Sequence, residues 1–454
     1  MSAVTEAPRG GVGAALKLGS ALLAGVLVAA AVGWFFLVRP GDGVEGEIHY
    51  SGDDASSMHL GPGGWFIHSD GDGGTVVEHV SEDRSWPGPR HGSIAALTSE
   101  GTAVSVLGGG LLINGEDGEV ETESQDVLAA HGDKSLQPGE SAEVVGLSET
   151  HVAVASCLSE DGEARLTGDE GGGTLVVSGV ALEDGSVTWS HDPEVDCAAD
   201  LATTYPTALP EQEYVLLTPS EEEAQALDLD TGEVAETWSQ APRGRVLVQG
   251  DLALHRAGDE VTVTSLRSGK AVADVSCPGA RLDNPGHTGG RLAEEATPLV
   301  RCGSSVRLFD GRAFVEVDAP PVGESQQVAD GSSVVHDRFV IERDGDRLTF
   351  TDGLSDKEIG QVDVPEDFRI ATNDVRGRLV VFFESGDNWR TGTPETEFRV
   401  VDGSTASLVA ESDDDLSPGA DVSPDGYAVL SELVERTRGR SSTTRVWVVG
   451  VPSS

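Results

Sequence analysis

The sequence predicts an all-β protein, a β-propeller of about eight, alternatively seven, four-stranded blades, preceded by one N-terminal transmembrane helix. Three observations predict it. Short β-branched runs broken by Gly, Asp, Asn and Ser fill the chain beyond residue 46, the composition of strands and tight turns. Glycine-bearing turns recur at intervals close to the length of one blade. Near the N-terminus stands an uncharged stretch of 21 residues. A length of 454 residues would by itself suggest several domains, but closed repeat architectures of this size form one unit.

Residues 1–17 are polar and too few to fold alone, and read as a short cytoplasmic tail. Residues 18–38, LGSALLAGVLVAAAVGWFFLV, carry no charge, and at 1.5 Å per residue they span roughly 30 Å of hydrocarbon. Arg9 and Lys17 precede this stretch, while after Arg39 no Lys or Arg occurs before Arg84. The positive-inside rule therefore places the N-terminus in the cytoplasm and the rest of the chain outside it, anchored in the cell membrane by a single pass. Trp34, Phe35 and Phe36 fall at the outer end, where aromatic rings favour the headgroup level. The alternative is a cleaved signal peptide, for which Ala29-Ala30-Ala31 offers a cleavage site, but the apolar run is longer than the usual core of about 7–15 residues. A lipid anchor would need a cysteine just after that core, and the first cysteine is Cys157. Ala21, Gly25, Ala29 and Gly33, four apart, would make one smooth stripe of small residues of the kind that lets membrane helices approach closely. Residues 39–46 read as a linker and 47–454 as the extracytoplasmic propeller.

Within that domain the turns Asp117-Gly118, Asp184-Gly185, Thr231-Gly232, Ser268-Gly269, Asp310-Gly311, Asp352-Gly353 and Asp402-Gly403 are flanked by apolar or β-branched residues. They read as two-residue hairpin turns, whose central positions need positive φ. The glycines are 67, 47, 37, 42, 42 and 50 residues apart, centred near the 40–50 of one blade. The long first interval contains a polar, glycine-rich segment, 161–173, that reads as an inserted loop. Seven such repeats, with one more blade shared between strands near 422–449 and strands near 48–77, give eight blades in a ring without exposed strand edges.

Two repeats carry a more specific pattern. VALEDGSVTW at 180–189 and ALDLDTGEVAETW at 226–238 resemble the tryptophan-docking motif of quinoprotein-like (PQQ-like) β-propeller repeats, in which strand, turn and strand end on a tryptophan packed between blades. Trp189 keeps the usual spacing of four after its glycine, Trp238 stands two residues later, and the other turns lack the tryptophan. Ser423-Pro424-Asp425-Gly426 is similar to the SPDG turn of TolB-type propellers. The resemblance implies a membrane-anchored bacterial repeat protein, with the arginine-biased composition of actinobacterial type. In the resembled family, quinoprotein dehydrogenases combine a PQQ pocket covered by an adjacent-cysteine disulfide with a calcium site and a catalytic aspartate. No two cysteines are adjacent here, and so no cofactor is carried over.

The four cysteines, Cys157, Cys197, Cys277 and Cys302, all lie in the outer part, and an even number in an oxidising compartment suggests disulfides. Of the three connectivities, sequence proximity favours Cys157 with Cys197 and Cys277 with Cys302. None has a Cys or His within four residues, which argues against structural zinc. His49, His59, His68, His79 and His91 are spaced like no ligand pair. The loop from Asp70 lacks a carboxylate at its twelfth position, Ser81, and reads as a polar turn rather than a calcium loop. Asp413-Asp414-Asp415 reads as a solvated charge run.

Formal charge is −48, from 78 acidic and 30 basic residues, only four of them lysine, a balance that fits a GC-rich genome or salt adaptation. Such a field repels phosphate backbones and argues against nucleic acid as a partner. It leaves basic protein surfaces and cations as possible ones. There is no GxSxG, no P-loop and no dinucleotide-binding fingerprint. The expectation is therefore a non-catalytic protein-binding or scaffolding module with a protein or cell-envelope ligand and no cofactor. The alternatives are an enzyme, a hydrolase or quinoprotein-like oxidoreductase, whose active residues converge from several blades, and a sensory ectodomain signalling through a membrane partner.

Overall fold

The computed structural model describes the chain from 44 to 450, leaving out 1–43, 451–454 and several internal stretches, chiefly 54–58, 160–172, 196–210, 240–244, 284–291, 371–376, 386–395 and 435–442. The tail, the apolar stretch with its Ala21/Gly25/Ala29/Gly33 stripe, Cys197, the loop after Asp70 and the Asp413–Asp415 run lie outside the described residues. Among those described, no helix is long and apolar enough to cross a membrane.

The described strands form nine antiparallel sheets, the blades of a propeller. Blade 1 comprises His59–Leu60, Trp65–Ser69, Thr75–His79 and Ser85–Pro87, and blades 2 to 8 follow in chain order. Blade 9 joins Ser417–Val422, Tyr427–Val434 and Thr443–Gly450 to Ile48–Asp53 from the start of the domain. Nine apolar clusters hold the ring, each shared by two successive blades. The cluster that closes it sets Leu60 and Phe66 of blade 1 against Tyr427, Val429 and Val448 of blade 9. Fourth strands form the outer rim. Lys270–Ser276 and Lys357–Asp363 are mostly exposed, and Val234, Val272 and Leu408, the exposed large apolar side chains among the described residues, all stand on the last strands of their blades.

Nine blades replace the expected eight or seven, and the difference has a local cause. The seven glycine turns mark the connections to the last strands of blades 2 to 8, of which blade 4 has three described strands and the others four or more, and the shared blade exists as expected. However, only Ile48–Asp53 of the N-terminal strands belongs to it, and residues 59–87 form a blade of their own. Its third-to-fourth connection has no glycine. Instead the His79 ring closes the turn: Nδ1 accepts from the backbone N–H of Ser81 at 3.3 Å and of Glu82 at 3.0 Å. Elsewhere an aspartate performs that task, as where Asp228 Oδ1 accepts from the N–H groups of Asp230 and Thr231 at 3.0 and 2.9 Å.

The turn before Gly118 has two residues between the paired strands, Glu116 and Asp117, whereas those at Asp228, Asp352 and Asp402 are longer. Gly232 N–H donates to the Asp228 carbonyl and Asp356 N–H to the Asp352 carbonyl, both at 2.8 Å, so that the fifth residue of each turn takes the left-handed conformation. At Asp352 and Asp402 that residue is Asp356 or Ala406, with φ of 55° and 52°. Gly353 and Gly403 are then needed for space: a Cβ on Gly403 would lie 2.6 Å from the Phe339 ring.

The N-terminal segment straps the seam. Val44–Gly46, in the stretch read as a linker, pairs with Ser407–Ser412 of blade 8 before Ile48–Asp53 completes blade 9. Cys277 and Cys302 are disulfide-bonded, with Cα atoms 5.6 Å apart, as the favoured pairing expects. Cys157, fully buried, is also disulfide-bonded, and its partner lies outside the described residues.

Candidate functional site

All first-to-second and third-to-fourth strand turns end on one face of the ring, as the alternation of antiparallel strands requires. There they surround a cavity of about 920 Å³ to which blades 1, 2, 3, 4, 5, 6 and 9 contribute. Its volume is at the upper end of the ~300–1,000 Å³ of ordinary ligand sites. The lining is acidic. Glu82 and Asp425 come from blades 1 and 9, Glu149 from blade 3, Glu211, Glu213, Asp228 and Asp230 from blade 4, and Glu294 from blade 6.

Among the described residues of the lining, Arg267 is the one arginine and none is lysine. Its guanidinium donates through Nη2 to both oxygens of Glu213, at 2.9 and 2.7 Å, and the pairing raises its pKa. Asp230 accepts from Thr150 Oγ1 at 2.9 Å, and Asp425 is held by the Gly64 N–H at 2.9 Å and by the Ser423 hydroxyl. Burial pushes the Asp425 carboxyl up, and burial with the Asp425 charge pushes the Tyr427 phenol up as well.

At the centre lie Glu211 and Gln212. The Glu211 Oε1 accepts from the Ser99 N–H of blade 2 at 2.9 Å, bypassing blade 3. Gln212 Nε2 donates to the Leu292 carbonyl of blade 6 at 2.7 Å, bypassing blade 5. In a ring, blades two apart can meet only where their turns reach toward the axis, so this pair sits at the floor of the mouth. The Gln212 backbone N–H is tied to the Leu147 carbonyl at 2.8 Å, which fixes the segment from a third side. Burial, reinforced by the Glu149 and Glu100 charges, pushes the Glu211 carboxyl above its ordinary range. Gln212 is 6% exposed, and its Oε1 is buried without a hydrogen-bond partner among the described residues.

Chemically the mouth is an electrostatic site. Among the described residues no three His, Cys, Asp or Glu side chains converge as a metal site would require. The sequence-derived positions serve architecture instead. Trp189, on the fourth strand of blade 3, donates from Nε1 to the Leu229 carbonyl of blade 4 at 2.8 Å and lies over Gly232. Trp238 packs between blades 4 and 5 beside His255. Trp86 does the same between blades 1 and 2 and was missed because its turn has no glycine; Arg84 covers the paired Trp65 and Trp86 rings at 5.0 and 5.8 Å. Glu211 and Gln212 carry no sequence motif, and only the ring brings their partners together.

Neither a protein-family model nor a curated protein sequence matches the chain. Solved structures that resemble it are propellers of low identity. BamB from Moraxella catarrhalis is 11% identical, with 88% of this chain and 99% of that chain covered and a TM-score of 0.34. The WD40 domain of SCAP from fission yeast is 10% identical, with 90% and 94% covered and a TM-score of 0.42. The C-terminal WD40 domain of Sif2 is 10% identical, with 90% and 98% covered and a TM-score of 0.37. Likeness at this level carries no argument about function, and the propeller assignment rests on the sheets and clusters described above.

Proposed function

We propose that this propeller is a non-catalytic binding module, held at the outer face of a membrane, whose acidic mouth receives a basic protein or cell-envelope ligand. The observation that carries the reading is the mouth itself, about 920 Å³, whose described lining has eight carboxylates and a single arginine that is already paired.

The way the chain joins the ring supports the orientation. Val44 pairs with Ser412 at the far end of the fourth strand of blade 8, opposite the mouth, and the chain reaches the mouth side only at Ile48, beside Val449. If the apolar stretch to Val38 is the anchor, residues 39–43 span at most ~18 Å fully extended. The face opposite the mouth is then held near the bilayer and the mouth points outward. With a formal charge of −48, the domain would speed encounter with basic surfaces, an effect that fades as the Debye length falls from about 10 Å at 0.1 M salt to about 3 Å at 1 M.

The test is crosslinking of the full-length protein in spheroplasts, at low salt and at 1 M, alongside protease digestion from outside and assays against hydrolase and dehydrogenase substrates. The expected result is digestion before lysis, partner crosslinks that weaken with salt, and no turnover. Turnover abolished by replacing a single mouth carboxylate would replace the binding reading with an enzymatic one, and resistance to protease until lysis would reverse the topology.

A further inference from the structure

The face opposite the mouth carries charge of the other sign at one corner. In an antiparallel pair, residues directly opposite each other set their side chains on the same face, about 4.5–5.5 Å apart at Cβ, and like charges there destabilise the pair. Blades 5 and 6 each hold such a pair of arginines at the lower end of their first two strands. In blade 5 the Arg256 N–H donates to the Arg245 carbonyl at 2.8 Å, which carries the pairing of Val246 with His255 one residue further. In blade 6 Arg281 is the register partner of Arg301. The two pairs are joined, because Arg256 Nη1 donates to the carbonyl of Ala280, the residue before Arg281, at 2.9 Å. The Cys277–Cys302 bond ties the same corner, since Cys277 opens the connection that leads to Arg281 and Cys302 follows Arg301.

The chain itself offsets little of this charge. Among the described residues Arg301 has an ion-pair partner, Asp283 at 2.8 Å, while Arg245, Arg256 and Arg281 have none. Asp259, whose charge reaches Arg256, is engaged by the Gly279 N–H at 2.9 Å, and Glu236 faces His255 beside them. Burial, reinforced by the Arg245 and Arg281 charges, lowers the Arg256 pKa. Arg281 is exposed and Arg245 and Arg256 are half-buried, so the cluster is held by its surroundings and still meets solvent. In a chain with 78 acidic and 30 basic residues, three arginines set together without an acidic partner are short of an anion from elsewhere.

We propose that Arg245, Arg256 and Arg281 form a phosphate subsite on the underside of the domain, which takes the headgroup of an anionic phospholipid in the membrane that anchors the chain. This rests on the membrane-anchored reading given above and adds a second contact with that membrane. Phosphate fits because guanidinium forks match its oxygens and several can share one group. A lipid, rather than a free anion, follows from charge and position. With a net charge of −48 the domain repels an anion that has to diffuse to it. A headgroup has no such approach to make: Val44 enters on this same face, and residues 39–43 reach at most ~18 Å, so the tether supplies a high local concentration of headgroups. The chain enters at blade 8, and the arginines lie two and three blades away in a ring of nine. Two contacts so far apart fix the plane of the ring against the bilayer, where a tether alone leaves it free to tilt.

The test follows phosphorus-31 line broadening as short-chain phosphatidylglycerol, short-chain phosphatidylcholine and inorganic phosphate are each titrated into the full-length protein in a maltoside detergent at low salt. Phosphatidylglycerol should bind saturably, and inorganic phosphate, which nothing holds near the domain, more weakly by about tenfold or more. Phosphatidylcholine, whose own cation cancels the phosphate charge, should not bind measurably. Arg281→Gln should weaken phosphatidylglycerol about tenfold, and Arg245→Gln by a similar factor. Arg312→Gln removes the same charge from an exposed turn on the mouth side and should change affinity less than about twofold. Circular dichroism checks that each variant is folded, and Arg281→Gln, at an exposed position, keeps the test decisive if Arg245→Gln is not. Equal binding of phosphatidylcholine, inorganic phosphate bound as tightly as the lipid, equal weakening by Arg281→Gln and Arg312→Gln, or no saturable binding would each overturn the subsite. The titrations do not depend on topology. Resistance to protease until lysis would reverse the membrane reading and leave them unchanged, whereas loss of lipid binding removes the subsite and leaves the anchor and the mouth as described.

Discussion

The contact between Gly179 and Trp189 makes a quantitative prediction about how neighbouring blades are locked. Trp189 is 9% exposed, and its indole N–H is spent on the Leu229 carbonyl of the next blade. A Cβ on Gly179 would lie 2.0 Å from Trp189 Cε2 and 2.1 Å from Nε1, far inside contact distance. Gly179 is paired with Ala153 and with Trp189, next to a β-bulge at Val180, and has no positive φ, so its backbone is open to alanine and the collision is the main penalty. Forcing the ring aside costs about 1–3 kcal/mol in overpacking and a similar amount for a buried carbonyl left without its donor, about 4 kcal/mol together. Trp189→Ala alone should cost about 3–5 kcal/mol. In the double variant the new methyl enters space that the ring has left, and alanine is better than glycine in a strand by about 0.5–1 kcal/mol. The double variant should therefore be no less stable than Trp189→Ala, a coupling of about 4–5 kcal/mol. Urea denaturation of the four full-length proteins, followed by far-UV circular dichroism, measures it. Costs that add to within about 0.5 kcal/mol would refute the account, because they would mean that the ring does not lie on Gly179.

Two further outcomes follow from buried groups. The Cys277–Cys302 bond joins residues 25 apart, for which loop closure in the unfolded chain gives about 3.5 kcal/mol; the Cys277→Ala/Cys302→Ala double variant should lose that much, and a loss below about 1 kcal/mol would sink the reasoning. Asp337, 3% exposed, is pushed by burial to about 6 from 3.8, so its contribution is complete below pH 3.8 and is lost as pH rises through 6, by up to about 3 kcal/mol. Asp337→Asn, whose side chain tolerates the φ of 53° there, should accordingly stabilise at pH 7.5 by about 2–3 kcal/mol and not at pH 3.5. An equal gain at both pH values would show that ionisation is not the cause. His336 beside it, driven by burial to about 4, has the opposite slope and is common to both proteins.

The parts of the fold that were legible in the sequence are those set by local chemistry. The five-residue turns at 181–185, 228–232 and 265–269 all end on a glycine because the fifth residue must be left-handed, and a capping carboxylate adds an aspartate at 228, 352 and 402. Trp189 was legible for the same reason, since its spacing from Gly185 is fixed within one hairpin. Blade 1 was hidden because an imidazole replaces the aspartate and no glycine follows, so an equivalent turn has different letters. At Gly353 and Gly403 the letters were right and the cause was not, since those glycines make room for Leu308 and Phe339. The site was illegible on principle. Ser99, Glu211 and Leu292 are separated by 112 and 81 residues, and only closure of a nine-blade ring brings their turns to one axis.

On the proposed topology, closure and attachment would be one device. The seam between blades 8, 9 and 1 is the place where a ring would open first, and the N-terminal segment crosses it twice: Val44–Gly46 adds to the edge of blade 8, and Ile48–Asp53 supplies the fourth strand of blade 9. The crossing is tight, because a Cβ on Gly46, at φ 138°, would sit 2.3 Å from the Val409 carbonyl oxygen. A pull on residues before 44 therefore loads the backbone ladders of two blades rather than a loose tail. On the proposed topology that pull comes from the membrane, and it acts on the face opposite the mouth. An acidic domain is repelled by an anionic membrane surface and a tether at its lower rim holds it close, and the two together leave the mouth facing away. Electrostatics would then orient the domain as well as select its ligand, which ties the net charge of −48 to a function that neither the cavity nor the anchor would explain separately.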